Sequence, residues 1–490
     1  MLRKCILTLF LGGIFLLFNQ PQAEAATPRI DGKDRFEVAV NVSKKGWSTS
    51  NTVVLTNYLA YADALSASPL AYKKNAPILL TQNQFLTPST KNEIYRLRAK
   101  EAVIIGGTGS ISNNVVNELK SMGLSVTRID GKDRFVVAQN ISKHLTNKGV
   151  AVVAYGLNFP DALAIAPYAA RNEFPILLTG NGTLPAPTKA ALQEKNISKT
   201  YIIGGEASVS NSVKSQLPSP TRIGGANRFE VAENVIRQLN LPTTSTYLTS
   251  GMNFADALTG SVLAAKNNSP LLLTTPTYLP NETKSIIQDK TIKYFTILGG
   301  TGSVNNNSTL LLGKSLVLDP GHGGDDPGAL GSGDFNEEDV VLDVGLRTRS
   351  KMVNAGAKII MTRSNDTFIP LTTRAEIANN SGANVFISIH ANSAGSTASG
   401  TETYYNTAYN GAASKELAVE IQKEIVKRLG TRDRGVKEAD FYVIKYTKIP
   451  SILVELGFIT NSSDAAKLGS STYRQKYADA IFYGSVNYFN

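Results

Sequence analysis

The residues able to do chemistry in this 490-residue chain are few and unevenly placed. There are three histidines, and two of them follow short aliphatic runs in the last third of the chain. Leu316-Val317-Leu318-Asp319 leads into the sharp turn Pro320-Gly321-His322-Gly323-Gly324, and Val385 to Ile389 leads into His390. A third run, Ser451 to Val454, ends on Glu455. Ligand sites of open parallel sheets lie beyond the carboxyl ends of the strands, so His322, His390 and Glu455 are expected in one crevice. Between the first two runs a helix is predicted from near Asn336, with Glu337, Glu338 and Asp339 in its first turn. Either glutamate could reach the crevice, and Val340-Val341-Leu342 spreads too far around the helix for periodicity to choose. Two imidazoles and one carboxylate with an open fourth position form a catalytic zinc site, whereas closed structural sites use four protein ligands, typically thiolates. The sole cysteine is Cys5, which excludes a disulfide framework, cysteine-ligated zinc and iron–sulfur clusters. Zinc held by two neutral histidines and one carboxylate keeps positive charge and can bring the pKa of a water from 15.7 to about 7, which suits metal-assisted amide hydrolysis.

The elements that must position these groups sit in a chain too long for one compact fold, since domains commonly hold roughly 100 to 200 residues. A hydrophobic content of 42% with 18% charged residues fits packed globular domains and excludes a disordered chain. The N-terminus reads as a secretory signal over residues 1–25: Arg3 and Lys4, an apolar run from Ile6 to Phe18, then Ala23-Glu24-Ala25. That run is too short for a stable membrane anchor, and no later stretch approaches eighteen apolar residues.

Upstream of the histidine-bearing region the chain repeats itself. Arg29-Ile30-Asp31-Gly32-Lys33-Asp34-Arg35-Phe36 recurs at 128–135 and, more loosely, at 222–229. Tyr61-Ala62-Asp63-Ala64-Leu65 recurs at 159–163 and 254–258, Pro77-Ile78-Leu79-Leu80-Thr81 at 175–179 and 270–274, and Ile104-Ile105-Gly106-Gly107 at 202–205 and 297–300. Offsets near 95 residues are too long for solenoid repeats, so these are three tandem domains. Short β-branched runs alternate with helical stretches such as 34–45, 61–74 and 89–99, predicting small α/β domains with parallel sheets. Asp63, Asp161 and Asp256 have no histidine or nucleophile accompanying them in all three copies and are expected to cap helix starts. The glycine pairs are expected to be strand-to-helix turns and not phosphate cradles, because copy two places Glu206 where a phosphate would sit. Residues 26–313 hold 29 Lys+Arg against 18 Asp+Glu, and residues 314–490 hold 19 against 20. All the excess positive charge after the signal therefore lies in the repeats, which suggests an anionic partner there.

Two resemblances follow from these motifs. Residues 27–312 resemble tandem type 2 cell-wall-binding repeats of Gram-positive surface proteins, a family whose copies pack around a pseudo-threefold axis and hold anionic wall polymer. Copy three departs from the others at Gly224 and Asn227. Residues 315–487 resemble the zinc-dependent N-acetylmuramoyl-L-alanine amidases through the His322 turn, the Glu337-Glu338-Asp339-Val340 segment, Ser388-Ile389-His390-Ala391-Asn392-Ser393 and Val454-Glu455-Leu456-Gly457-Phe458-Ile459. That resemblance implies His322, Glu337 and His390 as zinc ligands, Glu455 as the catalytic carboxylate and the bond between the muramic lactyl group and L-alanine as the target. Thr362 to Asp366 and the segment around Arg374 also resemble the family, with Arg374 expected to order structure near the site.

The expected organisation is a signal (1–25), three wall-binding repeats (26–126, 127–220, 221–313) and an α/β amidase domain with a largely parallel central sheet (314–490). The expected function is that of a secreted autolysin of a Gram-positive wall. Its partners are peptidoglycan as substrate and an anionic wall polymer, with no nucleic acid and no integral membrane segment after signal cleavage. The alternatives are a non-catalytic surface binding protein and a zinc peptidase acting within stem peptides.

Overall fold

The computed structural model describes residues 27–331 and 335–490, so the signal read at 1–25 lies outside the described residues. No helix among them is long and apolar enough to cross a membrane. Three four-stranded parallel sheets come first and a six-stranded mixed sheet follows, giving the α/β class expected from alternating strand and helix patterns.

The first sheet runs Ile78–Thr81, Thr52–Asn57, Glu101–Ile105, Ser125–Ile129, and the second runs Ile176–Thr179, Val150–Tyr155, Lys199–Ile203, Pro220–Ile223. In the third, Leu271–Thr274, Thr246–Ser250 and Phe295–Leu298 are completed by Arg29–Ile30 from the start of the described chain. Each Arg-Ile motif thus finishes the sheet of the preceding copy, and the first motif closes the ring by joining the last. The sequence boundaries at 126/127 and 220/221 fall at these exchanged strands. The arginine of each motif secures the exchange by donating to the first carbonyl of the diglycine turn: Arg29 to Gly299 at 2.7 Å, Arg128 to Gly106 at 2.7 Å and Arg222 to Gly204 at 2.9 Å. Two motifs that recur 70 or more residues apart within a copy are therefore halves of one contact.

Helices Pro160–Arg171 and Ala255–Lys266, with Ala67–Lys73 from the first copy, pack on one another around the axis. Their sequences are rich in Ala, Ser and Gly, which lets three backbones approach closely, and Ser68 and Ser261 hydroxyls meet at 2.7 Å in the buried interface. One hydrophobic core runs through all three copies, from Ile30 to Leu298. The stretch expected as a single helix over 61–74 is two, Tyr61–Ala64 and Ala67–Lys73. Pro69 lacks the N–H that would bond the Leu65 carbonyl, which favours a break there, whereas Pro167 is tolerated inside the unbroken helix of copy two.

The catalytic sheet runs Lys358–Met361, Ser315–Pro320, Val385–Asn392, Ser451–Phe458, Thr401–Tyr405, Asp433–Glu438. Every pair is parallel except Thr401–Tyr405 against Ser451–Phe458. Leu316 and Leu318 face the helices Glu337–Asn354, Gly411–Leu429 and Ser471–Phe489, while Val317 faces the opposite layer with Ala378 and Val443. This period-two alternation buries both faces and leaves the carboxyl ends of the central strands for the site.

Candidate metal centre

His322 and His390 reach one point from neighbouring strands, and their rings lie 4.9 Å apart at 79°. Glu337, the first residue of its helix, supplies a carboxylate between them: Oε1 is 3.1 Å from His322 Nε2 and 3.0 Å from His390 Nδ1. The three candidate ligand atoms lie within 4.8 Å of one another. Glu337 also accepts from the Ala329 and Ala391 amides, both at 2.9 Å, so its side chain is oriented by backbone. Glu338 turns away toward Asp366, and burial, reinforced by that neighbouring acid, raises its carboxyl. Of the two glutamates that the sequence left open, Glu337 is therefore the one brought to the histidines.

Glycines make room for the cluster. A side chain at Gly321 would collide with the His390 ring, and one at Gly328 would stand 2.8 Å from both Glu337 Oε2 and His322 Cδ2. His322 itself has a φ of 57°, a conformation that costs a non-glycine residue roughly 1–3 kcal/mol and persists only where the surroundings enforce it. Two buried arginines do so by gripping the carbonyls of the turn. Arg374, only 2% exposed, donates to Pro320 O at 2.6 Å, to His322 O at 2.7 Å and to Asp319 Oδ1 at 2.9 Å. Arg363 donates to Gly321 O at 2.7 Å and to Glu338 O at 2.9 Å. Asp319 completes the frame by accepting from Thr362 and Ser388 hydroxyls, each at 2.7 Å. Arg374 thus orders the turn, and the equal share of Arg363 was not read from the sequence.

Asp326 was missed as well. Its Oδ2 lies 2.9 Å from His322 Nδ1 while Nε2 faces Glu337. A carboxylate behind an imidazole fixes the tautomer that leaves the other nitrogen free for a metal. The only available signal was an acidic residue four positions beyond His322 in a glycine-rich turn.

Glu455 is aligned with His390 across the parallel pair and with Glu402 across the antiparallel one. Its Oε2 is buried and has no hydrogen-bond partner among the described residues. Burial pushes its carboxyl up to about 7, opposed by His390 and reinforced by the charges of Glu337 and Glu402. Burial alone would lower the His322 imidazole, but the hydrogen bonds and charge of Glu337 and Asp326 outweigh it and raise it to about 9. Burial likewise opposes ionisation of Glu337, yet the two histidines hold its carboxyl well below the usual range. The mixed nitrogen and oxygen set, the supported tautomer of His322 and the partnerless carboxylate alongside fit a catalytic metal site.

Comparison with known proteins agrees with this geometry. Residues 316–486 match the family model for N-acetylmuramoyl-L-alanine amidase, and residues 29–116, 128–214 and 222–309 match that for cell wall binding domain 2. N-acetylmuramoyl-L-alanine amidase LytC of Bacillus subtilis is 42% identical over 490 residues, covering 99% of each chain. The amidase enhancer of the same organism is 41% identical over 285 residues, 57% of this chain and 39% of its own. Among solved structures, Cwp6 from Clostridium difficile is 29% identical with a TM-score of 0.54, covering 95% of this chain and 80% of its own.

Proposed function

The chain belongs to the N-acetylmuramoyl-L-alanine amidase family and carries three cell-wall-binding repeats ahead of its catalytic domain, and from that premise we propose that His322, Glu337 and His390 hold a zinc ion with Glu455 as the proton-transfer group. It is a cell-surface enzyme that cleaves peptidoglycan between the lactyl group of N-acetylmuramic acid and the L-alanine of the stem peptide. The convergence of His322 Nε2, Glu337 Oε1 and His390 Nδ1 beside a carboxylate with no partner of its own supports the assignment.

The chemistry zinc supplies in such a site is Lewis acidity, which polarises the scissile carbonyl and makes a water easier to deprotonate. The protein's own groups do the rest. Glu455 takes the proton of the attacking water at Oε2 and returns it to the amine of the departing stem peptide. Glu337 stays ionised between the histidines, and Asp326 keeps the Nδ1 proton of His322 in place. Arg363 and Arg374 hold the turn so that His322 keeps its left-handed conformation.

We further propose that residues 1–25 direct export, that 26–126, 127–220 and 221–313 are the wall-binding units ahead of 314–490, and that the repeats hold an anionic wall polymer through their excess positive charge. Binding to isolated walls should then weaken steeply with salt, because exposed ion pairs are screened within about 8 Å at physiological ionic strength. Hydrophobic docking would respond weakly or in the opposite sense. For the metal, elemental analysis of the active protein should give one zinc per chain. An active preparation without metal would overturn the zinc assignment, and new termini inside stem peptides, seen by mass spectrometry, would move the chemistry to a different bond.

A further inference from the structure

The repeats gather cations at the pseudo-threefold axis that serve no part of the catalytic site. Tyr61, Phe159 and Phe254, equivalent in the three copies, form a triangle with ring centroids 5.7, 5.8 and 6.2 Å apart. Around it stand Arg35, Arg134 and Arg228, each the first residue of the helix behind an Asp or Asn cap. Nη1 of each donates to the backbone carbonyl just beyond the second strand of its own copy, that of Tyr58, Gly156 or Gly251. The guanidinium of Arg134 lies 5.8 Å from the Tyr61 ring of the preceding copy, and that of Arg228 lies 6.0 Å from Phe159. Arg35 instead covers its own Tyr58 at 5.6 Å, where the other copies have glycine.

None of these arginines has a carboxylate within 4 Å among the described residues, and their Nε and Nη2 groups make no hydrogen bond there. Asp161 and Asp256 feel Arg228 and Arg35 across the seams but give their Oδ2 to Ser208 and Ser303. The rim is apolar and open: Leu59, Leu157 and Met252, again equivalent positions, are 61%, 54% and 57% exposed.

We propose that this ring is the polymer site of the repeats, each guanidinium presenting its free edge to a phosphodiester while the chain of the polymer lies across the apolar rim. The proposal rests on the reading that the repeats hold an anionic wall polymer. A guanidinium fixed by one hydrogen bond and stacked on a ring keeps its remaining donors in the planar fork that suits phosphate oxygens. Three such forks on one rigid assembly act at high effective concentration on one polyanion, which scattered surface lysines do not.

The test measures binding of the full chain to isolated walls, before and after hydrofluoric acid has removed phosphodiester-linked polymer. Wild type should be retained only on untreated walls. Arg35→Gln, Arg134→Gln and Arg228→Gln together should raise Kd about tenfold or more, since avidity falls faster than site number. Lys45→Gln, Lys120→Gln and Lys189→Gln, which remove the same charge from exposed positions elsewhere, should change it far less. Should the arginine variant unfold, Leu59→Glu, Leu157→Glu and Met252→Glu place carboxylates on the exposed rim without disturbing the core, and they should match its loss. Wild-type retention on stripped walls would overturn the anionic-polymer reading itself. Dependence on the polymer, with the folded arginine variant or the rim variant binding no worse than the lysine control, would overturn only the ring.

Discussion

Inward-turned carboxylates recur in the repeats and in the catalytic domain, some bound by hydroxyls and some left with a bare oxygen. In the repeats, Asp63, Asp161 and Asp256 each accept from a serine hydroxyl of the diglycine turn, at 2.8, 3.0 and 2.7 Å. A side chain on the first glycine of that turn, Gly106, Gly204 or Gly299, would collide with this carboxylate, and all three glycines have φ of 100–116°. In the catalytic domain Asp319 accepts from three side chains, Thr362, Ser388 and Arg374, while Glu455 keeps an oxygen buried without any partner among the described residues. An unsatisfied buried acceptor costs about 1–3 kcal/mol. Glu173 in the second repeat and Glu338 on the catalytic helix also keep a buried oxygen without a partner among the described residues, so what sets Glu455 apart is its place opposite His390 in the sheet.

That contrast can be broken most forcefully at the ligands. His322→Ala or Glu337→Ala should abolish metal binding and with it activity, whereas Glu338→Ala should keep both; metal loss in the Glu338 variant alone would exchange their roles. Glu455→Gln should retain the metal and lose about 10² to 10⁴ in rate, the usual worth of a general base, in steady-state assays on purified wall. Retained activity would place the proton transfer elsewhere. Arg374→Met leaves Asp319 buried without its cation, so the catalytic domain should lose about 3–5 kcal/mol in denaturant unfolding while the repeats are untouched.

The smallest effect concerns pH. Burial raises the Asp161 carboxyl above its ordinary 3.8, opposed by the Ser208 hydroxyl and the charge of Arg228, so the folded repeats bind that proton more tightly than the unfolded chain. Its contribution to stability is complete below 3.8 and disappears as pH rises through the raised value. Asp161→Asn should flatten this part of the stability profile, and an unchanged slope would show that the carboxyl titrates no differently when folded.

Much of this was readable in advance. The three copies, their α/β rhythm and the place of His322 just past a strand follow from periodicity and from where aliphatic runs stop, whereas the strands Val385–Asn392 and Ser451–Phe458 run on past His390 and Glu455. Register at the helix start was not readable, because the apolar run after Asp339 covers several faces. Asp63 and its equivalents lie at the helix starts, as an acid often does, but the residues before those helices make no side-chain cap and the carboxylates bond serines 47 positions later. The helix caps are made instead by Asp34, Asp133 and Asn227, so the departure of copy three at Asn227 preserves the cap. The arginine clamps on the His322 turn were hidden for the same reason as the serines: their partners are distant in sequence, and no local pattern encodes them.

The exchanged strands bear on how the molecule assembles in time. Arg29 and Gly299 are 270 positions apart, and closing so long a loop costs entropy before its contacts repay it. The first residues of the ring to leave the ribosome are thus the last to find their place, and until they do the third sheet has a bare edge. A protease that clipped the chain just after Ile30 would act far away in sequence, unclasping the strand Phe295–Leu298 shortly before the catalytic sheet begins at Ser315. The strand that opens the first copy serves as the latch for the copy next to the enzyme.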